Sequence, residues 1–489
     1  MEYVLRDYQK EATEACVNIL TSDKQCREIV VCATGDGKSL IQAEVAKRLD
    51  FPLIICAPSK ELLLQNSKKL TEFGVEHTIC SASVGERNIS KLTLATIGSI
   101  KNNWEEFKKL GVKGILLDEG HLGVKSGSTV RKFIKQANIK NVCAITATPC
   151  VLQSGMDGSR IVMLNRTKWK LFTGIKYVHQ IQDSVKRGFW SPINYSIIEN
   201  DESYLKDNTT GSDYTVESQK RFYKANDLNG KIVEELKIIQ GQGRKSTIIF
   251  VPTIEEAEEL YAKLPNSAIV HSKMNKTERD FMIESFKNLQ IPVIINVAVL
   301  QIGFDHPLLD SMIVAKPTKS VNLYYQIVGR VVRIHKEKKD GLVVDMVGNF
   351  ERFGKVEDFT FEEVPYYGWG MFGKGGTLLT DYPIGATNRP TKESLIKNGQ
   401  RKEEDKNKKE EDLKDFENPI VNFGMWKGRK VFDIARTPKD ANRFHSWCSW
   451  FIKESIKPSP YPKNQILIAA INKYLKKDAA EFNKSNLFF

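Results

Sequence analysis

Short apolar runs alternate with longer amphipathic segments along most of the chain, and this rhythm restricts the fold more than any other feature. EIVVCA, PLIICAP, HTICSA, LTLAT, GILLDE and VCAITAT occupy the first third. Most are rich in Ile, Val or Leu, as strands covered on both faces are. Between them, GKSLIQAEVAKRL and SKELLLQNSKKLTEF space their apolar residues as helices do. Strand and helix in this order predict an α/β fold with a parallel, doubly wound sheet over residues 1–155. The rhythm returns over 225–365 in STIIFV, SAIVHS, IPVIINVAVL, SMIVAKP and GLVVDMV, which predict a second such domain. Residues 156–224 are polar and irregular and predict a connector, with DNTTGSDYTVESQ as an exposed loop. Residues 366–417 form an extension whose mixed-charge run, 398–415, predicts a solvated linker or exposed helix. Residues 418–489 hold enough apolar and aromatic side chains for a small accessory module.

A length of 489 residues suits two or three such cores. The net charge of +13, from 73 basic against 60 acidic residues, favours a polyanionic partner. None of the eight cysteines has metal-finger spacing, and Cys32, Cys56 and Cys143 sit in apolar runs. The cysteine pattern predicts a reduced, intracellular protein. The amino terminus MEYVLRDYQKEA has no apolar signal core, and no run is long enough to span a bilayer, so no membrane partner is expected.

In ATGDGKS a predicted strand meets a predicted helix at a glycine turn. Gly35 and Gly37 leave room for backbone N–H groups to face phosphate oxygens, and the helix N-terminus adds a favourable dipole. Lys38 can reach the outer phosphates and Ser39 can ligate Mg²⁺. Cys32 stands where the general phosphate-loop pattern has glycine. About eighty residues on, GILLDEGH ends a buried strand with two carboxylates. Asp118 there can hold Mg²⁺ and Glu119 can polarise an attacking water. Open α/β sheets bind ligands at such strand ends.

Taken together, these motifs resemble superfamily 2 DExH-type helicases and translocases over roughly residues 1–350. LRDYQKEA resembles the adenine-reading segment, with Gln9 the base contact and Arg6 nearby. ATGDGKS resembles motif I, contributing Thr34, Gly35, Asp36, Gly37, Lys38, Ser39 and Leu40 to the ATP site. APSKELLLQ, TIGSI, DEGH and TATP resemble motifs Ia, Ib, II and III, with His121 in motif II. TIIFV, NVAVLQIGFDHP and QIVGRVVR resemble motifs IV, V and VI. Gly303 and Asp305 would face the nucleotide, and Gln326, Arg330 and Arg333 match motif VI. The resemblance implies two tandem RecA-like domains with ATP and Mg²⁺ between them, and arginines reaching across the cleft to the γ-phosphate. Ile327 stands where some families place an arginine, which disfavours a DEAD-box assignment.

The same resemblance places a nucleic-acid track at Ser59, Lys60, Thr96, Gly98 and Ser99 in the first domain. In the second it implies Pro252, Thr253, Ser272, Lys273 and Val299. Trp104, Trp169, Trp190 and Phe304 could stack on bases, although core packing is the commoner fate of such residues. LRDYQ, DEGH and QIVGRVVR together are most similar to phage UvsW-type DNA helicases and the motor parts of restriction and fork-remodelling enzymes. That implies a monomeric ATPase that unwinds or branch-migrates forked and branched DNA in replication, recombination or repair. An RNA helicase and a nucleotide-gated clamp that does not travel remain alternatives. Residues 423–454 resemble a small domain appended to exonuclease X-type proteins, through Gly424, Lys427, Gly428 and Trp447. The other reading of this stretch is a packed module with Trp447, Trp450 and Phe451 as core.

Overall fold

The computed structural model describes residues 4–123, 128–155, 158–168, 170–301, 303–384, 386–417, 420–421, 426, 428–435, 438–454 and 467–475. The chain forms two compact units, Met1–Glu393 and Ser394–Phe489. In the first unit, β1 (Arg27–Val31), β2 (Leu53–Ala57), β3 (Thr78–Ser81), β5 (Leu92–Thr96), β6 (Gly114–Asp118) and β7 (Asn141–Thr146) follow the apolar runs, whereas β4 (Glu86–Arg87) is an exposed charged pair that no apolar run marks. A hairpin of β8 (Cys150–Gly155) and β9 (Gly158–Met163) comes next, then β10 (Gly174–Val178). The sheet order is β10-β1-β7-β6-β2-β5-β3-β4, parallel except where β4 turns back on β3. β2, β6 and β7 are buried at every position, which is why they read as unbroken apolar runs.

A second sheet contains β11 (Ile193–Ile197), β12 (Thr247–Phe250), β13 (Ser267–His271), β14 (Val293–Val297), β15 (Ser311–Val314) and β16 (Gly341–Asp345). Its order is β11-β16-β15-β12-β14-β13, and every pair is parallel. A short hairpin, β17 (Thr360–Val364) and β18 (Gly368–Phe372), follows.

The region 156–224 departs from the irregular connector expected. It supplies β10 to the edge of the first sheet and β11 to the edge of the second. Both are edge strands with exposed or half-buried positions, so Lys176 and Asn194 interrupt the apolar pattern that marks the central strands. The chain therefore passes from sheet to sheet between Val178 and Ile193.

The two halves of this unit are joined again further on. Asn322, on the helix Val321–Val328, donates to the Cys150 carbonyl at 2.7 Å. Beyond β18 the chain returns to β9, where the N–H groups of Asp381 and Ile384 donate to the carbonyls of Ile161 and Ser159.

In the second unit, the charged run lies on one helix, Lys392–Glu417, which begins at the end of the first unit. A small core gathers Val421, Trp426, Val431, Ile434, Phe444, Cys448, Phe451, Leu467 and Ile471. Trp447 packs against it, stacked between Phe444 and Phe451. Trp450 does not join it and is 55% exposed. On the helix Pro438–Glu454 it falls on the side opposite the buried Phe444, Cys448 and Phe451. Gly424 and Lys427 lie outside the described residues, as does Trp169.

Candidate nucleotide site

The strand ends set the site. β1 and β6 both run alongside β7, with Val31 level with Thr146 and Asp118 level with Ile145. The phosphate loop after β1 and the carboxylates after β6 are thus brought to the same edge, with Thr146 between them. Gly35 and Gly37 have φ of +95° and +79°, a region that side chains rarely adopt. A Cβ on Gly37 would stand 2.7 Å from Gln9 Nε2 and would displace the end of that side chain from its place against the loop.

A cavity of about 210 Å³ opens between the two sheets. Thr34, Gly35, Gly37, Lys38, Ser39, Leu40, Asp118 and Glu119 line it from the first sheet. Gly303, Asp305, Gln326, Arg330 and Arg333 line it from the second. Lys38 Nζ lies 3.5 Å from Glu119 Oε1. The other Glu119 oxygen accepts from Thr146 Oγ1 at 3.1 Å and lies 3.4 Å from His121 Nδ1. Burial works against the Glu119 charge, yet Lys38, His121 and Thr146 hold its carboxyl below the usual range. Burial raises Asp118, and the neighbouring Glu119 charge adds to the effect. Burial also lowers the His121 imidazole, which touches Glu119 and Thr146 but not the cavity. Glu119 itself has a φ of 48°, a strained conformation for a non-glycine residue and one found often at functional sites.

Asn66 is a residue the motif pattern does not mark. Its side chain accepts from Ser39 Oγ at 2.7 Å and donates to Asp118 Oδ2 at 3.1 Å. It therefore links the two groups expected to hold Mg²⁺. A hydroxyl and a buried carboxylate tied to one amide are oxygen donors of the kind a hard cation takes along with phosphate and water oxygens.

The arginines differ from one another. Arg330 is buried and donates to the carbonyls of Phe304 and Gln326, within its own half. Burial, reinforced by Arg333, lowers its guanidinium to about 10. Arg333 pairs with Asp305 at 3.1 Å and reaches the phosphate loop. Its Nη1 is 3.0 Å from where a Gly35 Cβ would stand. Tyr325 crosses as well: its hydroxyl accepts from the Thr34 N–H at 3.1 Å, while Trp190 Nε1 donates to the Thr34 carbonyl at 2.9 Å.

Not every expected nucleotide contact faces the cavity. Gln9 donates to the Asp36 carbonyl and accepts from the Arg6 N–H, and the Arg6 guanidinium lies over the Phe189 ring at 3.9 Å. The Asp36 side chain is turned away and fully buried, held by partners beneath the loop.

The expected nucleic-acid residues sit at the carboxyl ends of strands in both sheets. Several of their hydroxyls are already engaged. Ser59 and Thr253 cap helices by accepting from the N–H groups of Leu62 and Glu256. Thr96 and Ser99 pair at 2.9 Å, and Lys60 donates to the Ser83 carbonyl. The Val299 N–H is held by Asn296. Gly98, Ser272 and Lys273 are exposed. The aromatic candidates are packed: Trp190 and Phe304 are buried and Trp104 lies against the core.

Comparison with known proteins agrees with this architecture. The family described as type III restriction enzyme, res subunit, matches residues 2–151. The helicase conserved C-terminal domain matches residues 229–335. The chain belongs to the superfamily 2 helicases. Among curated relatives of this chain is the putative ATP-dependent helicase IRC3 of Saccharomyces cerevisiae. It is 24% identical over 364 residues, covering 71% of this chain but only 52% of IRC3. The chain thus spans about half the length of that relative. The DNA 3'-5' translocase XPB2 of Sulfurisphaera tokodaii is 22% identical over 378 residues, covering 70% of this chain and 81% of XPB2. Among solved structures, a fragment of a putative HsdR subunit of a type I restriction enzyme from Vibrio vulnificus superposes with a TM-score of 0.55 at 20% identity. That match covers 72% of this chain and 66% of the fragment and supports the two-domain α/β fold.

Proposed function

We propose that the protein hydrolyses ATP in the cavity between its two sheets and uses the resulting opening and closing to travel along DNA. One observation carries this reading: Lys38 and Glu119 from one half share a cavity with Arg333 from the other, against the phosphate loop. In this reading Glu119 orients the attacking water and accepts its proton, with Thr146 fixing the carboxylate. Lys38 and the phosphate-loop N–H groups hold the outer phosphates, and Arg333 meets charge that develops on the γ-phosphate. Mg²⁺, held by Ser39 and Asp118, would neutralise phosphate charge. Arg330, buried against the Phe304 carbonyl, positions the adjoining Gly303–Asp305 turn.

DNA is the favoured track. The net charge is +13, and residues 418–489 alone carry 13 basic against 5 acidic residues. Such a stretch suits a sequence-independent hold on the phosphodiester backbone. XPB2 is named as a DNA translocase, which fits. The similarity of LRDYQ, DEGH and QIVGRVVR to UvsW-type helicases extends the proposal to forked and branched DNA, with the protein acting as a monomer. The described free cysteines suit a reducing cytoplasm.

An ATPase and strand-separation panel tests this, using single strands, forks, four-way junctions and RNA duplexes. The expected result is hydrolysis stimulated most by branched DNA and abolished by Lys38→Ala. Stimulation by RNA duplexes alone would replace DNA with RNA as the track. No stimulation by any nucleic acid would overturn the reading.

A further inference from the structure

The phosphate loop carries a carboxylate at Asp36, next to the place where a triphosphate's negative charge would lie. Its surroundings explain how the loop tolerates it. Asp36 Oδ2 accepts from the Ala33 N–H at 2.7 Å and from His179 Nδ1 at 2.8 Å. Oδ1 accepts from Ser184 Oγ at 2.8 Å. The Asp36 carbonyl accepts from Gln9 Nε2 and the Tyr8 hydroxyl. The Tyr8 ring lies flat on the His179 ring, 3.9 Å between centroids and 3° from parallel. His179 is 5% exposed, and its second ring nitrogen, Nε2, has no hydrogen-bond partner among the described residues. Nδ1 facing a carboxylate is the donor, which leaves Nε2 the idle end of the ring.

His179 and Ser184 both belong to the passage between the sheets. His179 directly follows β10, and its N–H donates to the Val31 carbonyl. Ser184 is on the short helix Ile181–Lys186. The same passage ends at Ser191, whose side chain donates to the Arg333 carbonyl at 2.9 Å and whose N–H donates to the Val332 carbonyl. One run of chain thus grips the phosphate loop from below at Asp36 and the arginine-bearing turn at its other end.

We propose that His179 is a positioning residue for triphosphate binding. With Ser184 it keeps the Asp36 carboxylate folded under the loop, so that the surface offered to phosphate is N–H groups and Lys38 rather than a negative charge. The inference rests on the ATP reading above and specifies what that site requires of the connecting chain. Without the imidazole, the carboxylate loses a donor and the ring-on-ring support. It is then free to turn toward the cavity, where it opposes phosphate.

The test is ATP binding and steady-state hydrolysis by full-length wild type, His179→Ala, His179→Asn, Asp36→Asn and the double variant His179→Ala/Asp36→Asn. Each is first checked for an unchanged circular dichroism spectrum and melting curve. His179→Ala should raise the KM for ATP at least tenfold while kcat changes less than threefold. His179→Asn, which keeps a donor near the place of Nδ1, should recover most of the loss. The decisive variant is the double one. Removing the charge at Asp36 should bring the KM of His179→Ala back to within about threefold of wild type, which a ring needed only for packing would not do. Equal KM values in wild type and His179→Ala, or a double variant as poor as His179→Ala, would overturn the proposal. A wild-type protein that binds no ATP would instead remove the nucleotide reading itself.

Discussion

Replacing Tyr325 by Phe should weaken the closed cleft while leaving each half intact. The Tyr325 ring is fully buried and Phe preserves its packing. What disappears is the hydroxyl that accepts from the Thr34 N–H at 3.1 Å across the cleft. In the closed form that N–H is buried, and an amide left without an acceptor costs about 1–3 kcal/mol. In an open form the same group meets water and nothing is lost. The whole cost therefore falls on closure, and about 2 kcal/mol corresponds to roughly a 30-fold drop in the closed-to-open ratio. Hydrogen exchange read by mass spectrometry over residues 31–40 reports this directly. The variant should exchange there roughly 10- to 30-fold faster than wild type, with exchange in β2 and β6 unchanged. The KM for ATP should rise with it. Unchanged exchange over residues 31–40 in a fully folded variant would refute the idea that this hydroxyl holds the halves together.

Arg333→Ala should leave ATP binding within a few-fold of wild type and cut kcat by about 10³-fold, as loss of a charge-stabilising arginine does elsewhere. Single-turnover hydrolysis separates the two effects, and Arg333→Lys should recover little because it lacks the planar fork. His306 provides a pH test. It is buried near Phe286 and bonded to Ser246, and burial lowers its imidazole to about 4. The unfolded chain therefore takes up a proton from about pH 6.5 downward while the fold resists it to about pH 4. This group's contribution to stability is complete above that window and falls as pH drops through it. Melting temperatures of wild type and His306→Gln between pH 4 and 7 should show the shallower pH slope in the variant.

The sequence placed one wall of the cavity because its residues follow buried strands directly. Where a strand ends, the next few side chains must lie at the sheet edge, so Lys38, Asp118 and Glu119 could be placed from pattern alone. Partners supplied by distant chain could not. Asn66 looks like any polar helix residue until the fold brings it between Ser39 and Asp118. His179 and Ser184 lie in a stretch whose edge strand lacks the apolar signature. Asp36 sits in a phosphate-binding motif, and nothing local shows that its side chain turns inward. The Ser and Thr residues of the expected track expose a real ambiguity. A hydroxyl between strand and helix serves as a helix cap as well as it serves a phosphate, and Ser59 and Thr253 are caps here. In the second unit, the aromatic pattern read Trp447, Trp450 and Phe451 alike as core; Trp447 and Phe451 are packed, but helical spacing turns Trp450 to the outside.

The returning chain at Asp381 and Ile384 adds a further joint to the passage through His179 and Ser191 and to the Asn322–Cys150 hydrogen bond. Two bodies hinged at one point can splay to any width. Bodies pinned at several points swivel through a limited arc and return to nearly the same posture. Cutting the chain after β18 would leave the cavity lining intact but remove one of those stops.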